Sequence, residues 1–186
     1  MTATVVKKGE ERAIHIDPSS TEEELEIEEG ASATVFIAAN SKLNFSAVLS
    51  GRGAALNVIG RFQGTGDARQ EIVLKAILQA PETRCRVDMR TALADTSASF
   101  FDGLIRMEEG AKNAEGHLSY RALLMSPGAR AKPIPRLEIL TREVASAGHA
   151  ASVGKIDEEQ LFYLRSRGLS RTEAKKLIVN GFLAVD

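Results

Sequence analysis

The chain has 186 residues, 44% of them hydrophobic and 26% charged, with a formal net charge of −1 at pH 7. That length suffices for one substantial core, and the near-neutral balance gives no electrostatic basis for a polyanionic partner such as nucleic acid. The single cysteine, Cys85, excludes an intramolecular disulfide and fits a reducing compartment.

The first residues, Met1 to Lys8, lack the apolar stretch of a signal peptide, and no window of about twenty apolar residues occurs further on. A soluble, cytoplasmic protein is the expectation. His15 alternates with Ile14 and Ile16, which suits a strand edge better than a ligand. The acidic run Thr21 to Gly30 carries Leu25 and Ile27 at alternate positions, the pattern of a strand whose outer face is solvated and acidic.

From about Thr34 to Gly154 short strands with period-two alternation dominate, separated by segments rich in Gly, Asn, Ser, Pro and Ala. Apolar and polar side chains take opposite parities in Leu43 to Ala47, Leu56 to Val58, Arg84 to Arg90 and Arg136 to Ile139. The inward anchors Leu43, Leu56, Ile72, Cys85, Phe101, Leu118 and Leu137 recur every 13 to 19 residues. This is too short for a strand, helix and strand unit of about thirty residues, so the core is a solenoid of flattened coils or a sandwich. Gly51-Arg-Gly53 is then a coil corner or a hairpin turn.

Few residues in this region suggest chemistry. Cys85 shares parity with Val87 and Met89 and is expected to be a buried small hydrophobe. His117, at a strand entrance, is expected at the surface. No His/Cys pair has metal-finger spacing, and no phosphate-binding loop of the Gly-x-x-x-x-Gly-Lys-Ser type occurs. The chain is therefore not expected to hydrolyse nucleotides itself.

The last thirty residues change to helical periodicity. Asp157-Glu-Glu-Gln160 reads as a capped start, with Asp157 accepting from backbone amides and Gln160 reaching back. Gly168 ends that helix. Ser170-Arg-Thr-Glu173 forms a second capping box for a helix expected to break at Gly181. The pair predicts a helical hairpin over 155–186 after a β core over 1–154. Phe162, Tyr163 and Leu164 offer more apolar surface than one hairpin hides, and Leu161 with Leu164 could cap an open coil. Six basic and five acidic side chains between Lys155 and Asp186 speak against a DNA-binding helix-turn-helix.

The run from Gly148 to Ser170, with Ile178-Val-Asn-Gly-Phe182 beyond it, resembles the C-terminal signature of the SufB/SufD family, the scaffold subunits of the SUF system for iron–sulfur cluster assembly. The resemblance extends upstream through Pro135 to Ile139, Leu123 to Ser126 and Ser97 to Gly103, to about Thr96. The large N-terminal helical region of typical members has no counterpart in these residues.

The resemblance implies a right-handed parallel β-helix and a non-catalytic scaffold. It implies docking of the ABC-type ATPase SufC through the C-terminal helices, for which Phe162, Tyr163, Arg165, Arg167 and Asn180 are carried over as the contact region. His149 occupies the position of a histidine at the interface between two scaffold chains, making it the candidate ligand for iron or a transient iron–sulfur cluster. A histidine packing that interface without metal is the alternative. The partner is a SufB-like subunit or a second copy in a homodimer.

Two departures thin the ligand set: a cysteine common near this site is absent from Val144 to Gly148, and Ala150 stands where SufB has glutamate. With one cysteine, any cluster needs further ligands from elsewhere. Tyr120 falls closest to a SufB cysteine that accepts sulfur, so the chain looks SufD-like. A self-assembling structural β-solenoid is the alternative function. A polysaccharide-cleaving β-helix ranks behind it, because the carboxylates are scattered.

Overall fold

The computed structural model describes residues 3–38 and 41–184. Twelve strands are seen among them: β1 (Thr4–Val6), β2 (Glu11–His15), β3 (Glu22–Ile27), β4 (Ser32–Ala38), β5 (Lys42–Leu49), β6 (Ala55–Gly64), β7 (Arg69–Leu78), β8 (Arg84–Leu93), β9 (Ala98–Met107), β10 (Ala114–Leu124), β11 (Arg130–Ile139) and β12 (Val144–Lys155). Odd-numbered strands form one six-stranded sheet in the order β1-β3-β5-β7-β9-β11. Even-numbered strands form a second, β2-β4-β6-β8-β10-β12. All ladders are parallel. Successive strands therefore alternate between sheets, which makes a β-solenoid of flattened coils rather than an antiparallel sandwich.

Register explains the anchor spacing. Leu43, Ile72 and Phe101 stack in one sheet, while Leu56 and Cys85 stack in the other. Each coil crosses both sheets, so two anchor intervals make one repeat; Leu49, Leu78 and Met107 stack 29 residues apart. Inward residues of the two sheets meet in one apolar core that includes Leu43, Val58, Ile72, Val87, Phe101 and Leu118. The outer parity is mixed, with Arg84, Arg86 and Asp88 on β8 but half-buried Phe36, Ile59 and Val73 on β4, β6 and β7.

Corners need a left-handed residue. Gly30, Gly53, Glu82 and Asn113 fill successive turns between the sheets at φ between 54 and 71°. Gly51-Arg-Gly53 is thus a coil corner. A close approach fixes Gly60: a side chain there would collide with the Met89 thioether one rung away. The solenoid also begins before Thr34, because β1 and β2 are too short to show periodicity and are held by pairing with β3 and β4.

The terminal hairpin comprises α1 (Glu158–Ser166) and α2 (Arg171–Leu183). Asp157 caps α1 by accepting from the Glu159 amide at 2.8 Å, but this cap is one-sided, without a return bond from Gln160. Gly168, at φ 95°, ends α1. The second box is complete: Ser170 Oγ accepts from the Glu173 amide and the Glu173 carboxylate accepts from the Ser170 amide at 2.8 Å.

Two expectations about the hairpin are corrected. Gly181 does not break α2, which runs on to Leu183 without a left-handed turn. Leu161 is buried but the hairpin does not cap the open coil; α2 packs against β8, and β12 keeps no buried residue. Among the described residues no helix is long and apolar enough to cross a membrane.

Candidate functional site

The last coil ends the stack, and its chemistry follows from that position. Register sets His149 of β12 beside Leu118 of β10, which is 1% exposed and points into the core. With no further coil to cover it, the same parity at β12 leaves His149 exposed. Ile139 and Leu140, at the end of β11, and Val153, towards the far end of β12, are 44%, 47% and 45% exposed, spread along the uncovered last coil.

A shallow groove runs beside this edge, lined by Arg86, Asp88, His117, Arg121, Gly148 and His149. His117 is exposed as expected, and its Nε2 lies 2.9 Å from Ser146 Oγ. His15 is exposed too, stacked on Phe36 with ring centroids 4.6 Å apart. Among the described residues, no group of three or more His, Cys, Asp or Glu side chains is arranged to hold a metal. His149 thus shares this groove with His117 and Asp88 without forming such a group.

Cys85 is 2% exposed within the core, and burial pushes its thiol up to about 12. No thiolate is available there for metal or sulfur chemistry at neutral pH. Tyr120 is also fully buried, stacked on Phe101 at 5.3 Å. Its hydroxyl donates to Ser99 Oγ at 3.0 Å and meets Thr91 Oγ1 at 3.0 Å, while Ser99 Oγ donates to Gln70 Oε1 at 2.9 Å. Burial raises the phenol above its ordinary range against the opposing pull of these hydrogen bonds. This interior chain of polar groups joins residues 21 and 29 positions apart, so only the stacking of coils brings it together.

The hairpin presents its own surface. Phe162 is 72% and Tyr163 56% exposed, and the Arg167 guanidinium lies over the Tyr163 ring, 5.2 Å from its centroid. Arg165 is exposed on the same helix. Asn180 is set apart from these four, in a second groove between α2 and the ends of β6 and β8 that Gln63, Ala92, Lys176 and Val179 also line.

A family model described as "SUF system FeS cluster assembly, SufBD core domain" matches residues 3–182. The chain belongs to the SufBD family. The match takes in the strands before Thr96, where the sequence carries no recognisable signature.

Over 116 residues the chain is 38% identical to an iron–sulfur cluster assembly SufBD family protein of Mycobacterium tuberculosis, covering 62% of this chain and 27% of that protein. It is 41% identical over 92 residues to the iron–sulfur cluster assembly protein SufD of Bacillus subtilis, covering 50% of this chain and 21% of the relative. The Escherichia coli SufD is 38% identical over 95 residues, with 51% and 22% covered. The aligned part is thus only about a quarter of each relative's length.

Proposed function

We propose that this chain is a non-catalytic scaffold subunit of the SUF iron–sulfur cluster assembly machinery, with iron or a nascent cluster as its cargo. Membership in the SufBD family and the SufD relatives support that setting. The observation that carries the scaffold role is the open last coil, where β12 has no buried residue and His149 and Val153 are both exposed along the same strand. Such an edge is completed by a second chain, either a SufB-like subunit or another copy.

His149 then supplies one imidazole nitrogen and the second chain the remaining ligands. The hairpin supplies the other contact: Phe162, Tyr163, Arg165 and Arg167 form the docking surface for a SufC-like ABC ATPase, with Asn180 a further contact in its separate groove. The test is binding of the purified chain to the SUF ATPase of the same source, compared with a version ending at Gly154. Loss of binding on truncation supports the assignment. Absence of binding by the full chain overturns it.

The uncovered edge also favours a second reading, a structural solenoid that self-assembles. Concentration-dependent filaments in place of a discrete dimer distinguish it.

A further inference from the structure

The C-terminal end of α2 meets the β-solenoid through charge. Helix carbonyls in the last turn have no intrahelical partner and favour cations nearby, yet α2 carries no basic side chain in its last turn. The even-numbered sheet supplies the cations. Arg61 of β6 donates from Nε to the Leu183 carbonyl at 3.0 Å, and Arg90 of β8 donates from Nη1 to the carbonyls of Phe182 and Ala184 at 3.2 and 2.9 Å.

Asp88 holds both arginines in place. Its Oδ2 lies 2.6 Å from Arg61 Nη2 and 3.2 Å from Arg90 Nε, while Arg61 Nη1 also donates to the Asp88 and Gly60 carbonyls. The side chains of Arg61, Asp88 and Arg90 are 14%, 18% and 7% exposed, so the group is largely shielded from water and salt. Arg121 of β10 reaches Asp88 Oδ1 at 3.2 Å but is 47% exposed, and it has no bond to α2 among those described. Apolar anchoring is slight by comparison: Leu161, Ala174 and Val179 are the only buried side chains of the hairpin among the described residues.

We propose that Arg61 and Arg90, oriented by Asp88, form a clamp that positions the hairpin on the solenoid and sets the angle at which its exposed aromatic surface is offered to a partner. They are positioning residues, and their partner-facing role rests on the reading of the hairpin as an ATPase dock. The clamp itself does not need that reading. Releasing it frees α2 while the coils, whose core lies on the other side of the sheet, stay folded.

Hydrogen–deuterium exchange of the full chain tests this directly. In Arg61→Ala/Arg90→Ala, the amides of α2 are expected to exchange about tenfold faster while those of β5 to β9 keep their protection. Arg90→Lys, which keeps a charge but loses the forked donor geometry, should be intermediate. Arg121→Ala removes a partner of Asp88 without touching α2 and should leave α2 exchange unchanged.

Unchanged α2 protection in the double variant overturns the clamp, as does loss spread equally over the solenoid or an equal effect of Arg121→Ala. Binding of the SUF ATPase to the same proteins separates the two proposals. Weaker binding by the clamp variants supports the partner-facing role, and unaltered binding despite a freed α2 removes it. If the unmodified chain does not bind while the exchange pattern holds, the docking assignment fails and the clamp stands.

Discussion

At the scale of single residues, Asp88 ties neighbouring coils to the terminal helix. Burial alone would raise its carboxyl, but the hydrogen bond and charge of Arg61, the hydrogen bond from Arg121 and the charge of Arg90 outweigh it and hold the group below its ordinary range. A carboxylate depressed in the folded state adds stability above its unfolded pKa, and that stability is lost as pH falls through the folded value. Asp88→Asn should therefore destabilise the chain by about 2 kcal/mol at pH 7, the scale of hydrogen bonds to charged groups. The gap to the unmodified chain should narrow as pH drops from about 4 towards 3, near and below the unfolded pKa. Urea midpoints at several pH values give the measurement. A gap that does not change with pH would mean that Asp88 acts by shape and not by charge.

At the scale of elements, the two helix starts differ in a way that experiment can read. The reciprocal Ser170 and Glu173 bonds satisfy two amides of α2, whereas Asp157 satisfies one of α1. Ser170→Ala should cost about 1 kcal/mol, read as faster amide exchange confined to the first turn of α2; no change would mean that burial of Ala174, and not the cap, fixes this end. These starts were legible in the sequence because capping is local, spanning three residues. The strands were legible because parity is local too, and the anchor intervals carried the coil repeat once two of them were recognised as one turn. By contrast, the clamp joins Arg61 to Leu183 across 122 positions and Arg90 to Ala184 across 94. No periodicity encodes such a meeting, so the docking place of the hairpin is not legible in the sequence, and neither is the end of α2. The exposed edge bearing His149 was legible only through resemblance, since a histidine between Gly148 and Ala150 has no distinguishing pattern of its own.

At the scale of the whole molecule, the two strands that end the stack are unequal. On β11, Pro133 and Pro135 lack the amide hydrogens that another strand would need, a usual protection of a sheet edge. The twelve residues of β12 include no proline and are mostly Ala, Gly and Ser, which lets another backbone come close. Association is therefore expected along β12, and a two-fold axis would bring two copies of that strand together antiparallel. Val153, half-exposed on β12, would lie in such a contact but contributes little to the fold of one chain. Val153→Asp should weaken self-association, or association with a SufB-like chain, by at least about tenfold, equivalent to roughly 1.4 kcal/mol. Its thermal unfolding should stay close to that of the unmodified chain, while Phe162→Ala, on the hairpin, should leave association unaltered. Sedimentation velocity over a concentration series, alone and with the SufB-like chain, separates these outcomes. If the unmodified protein stays monomeric in both settings, β12 is not an interface, and His149 loses the second chain that a cluster ligand at this position requires.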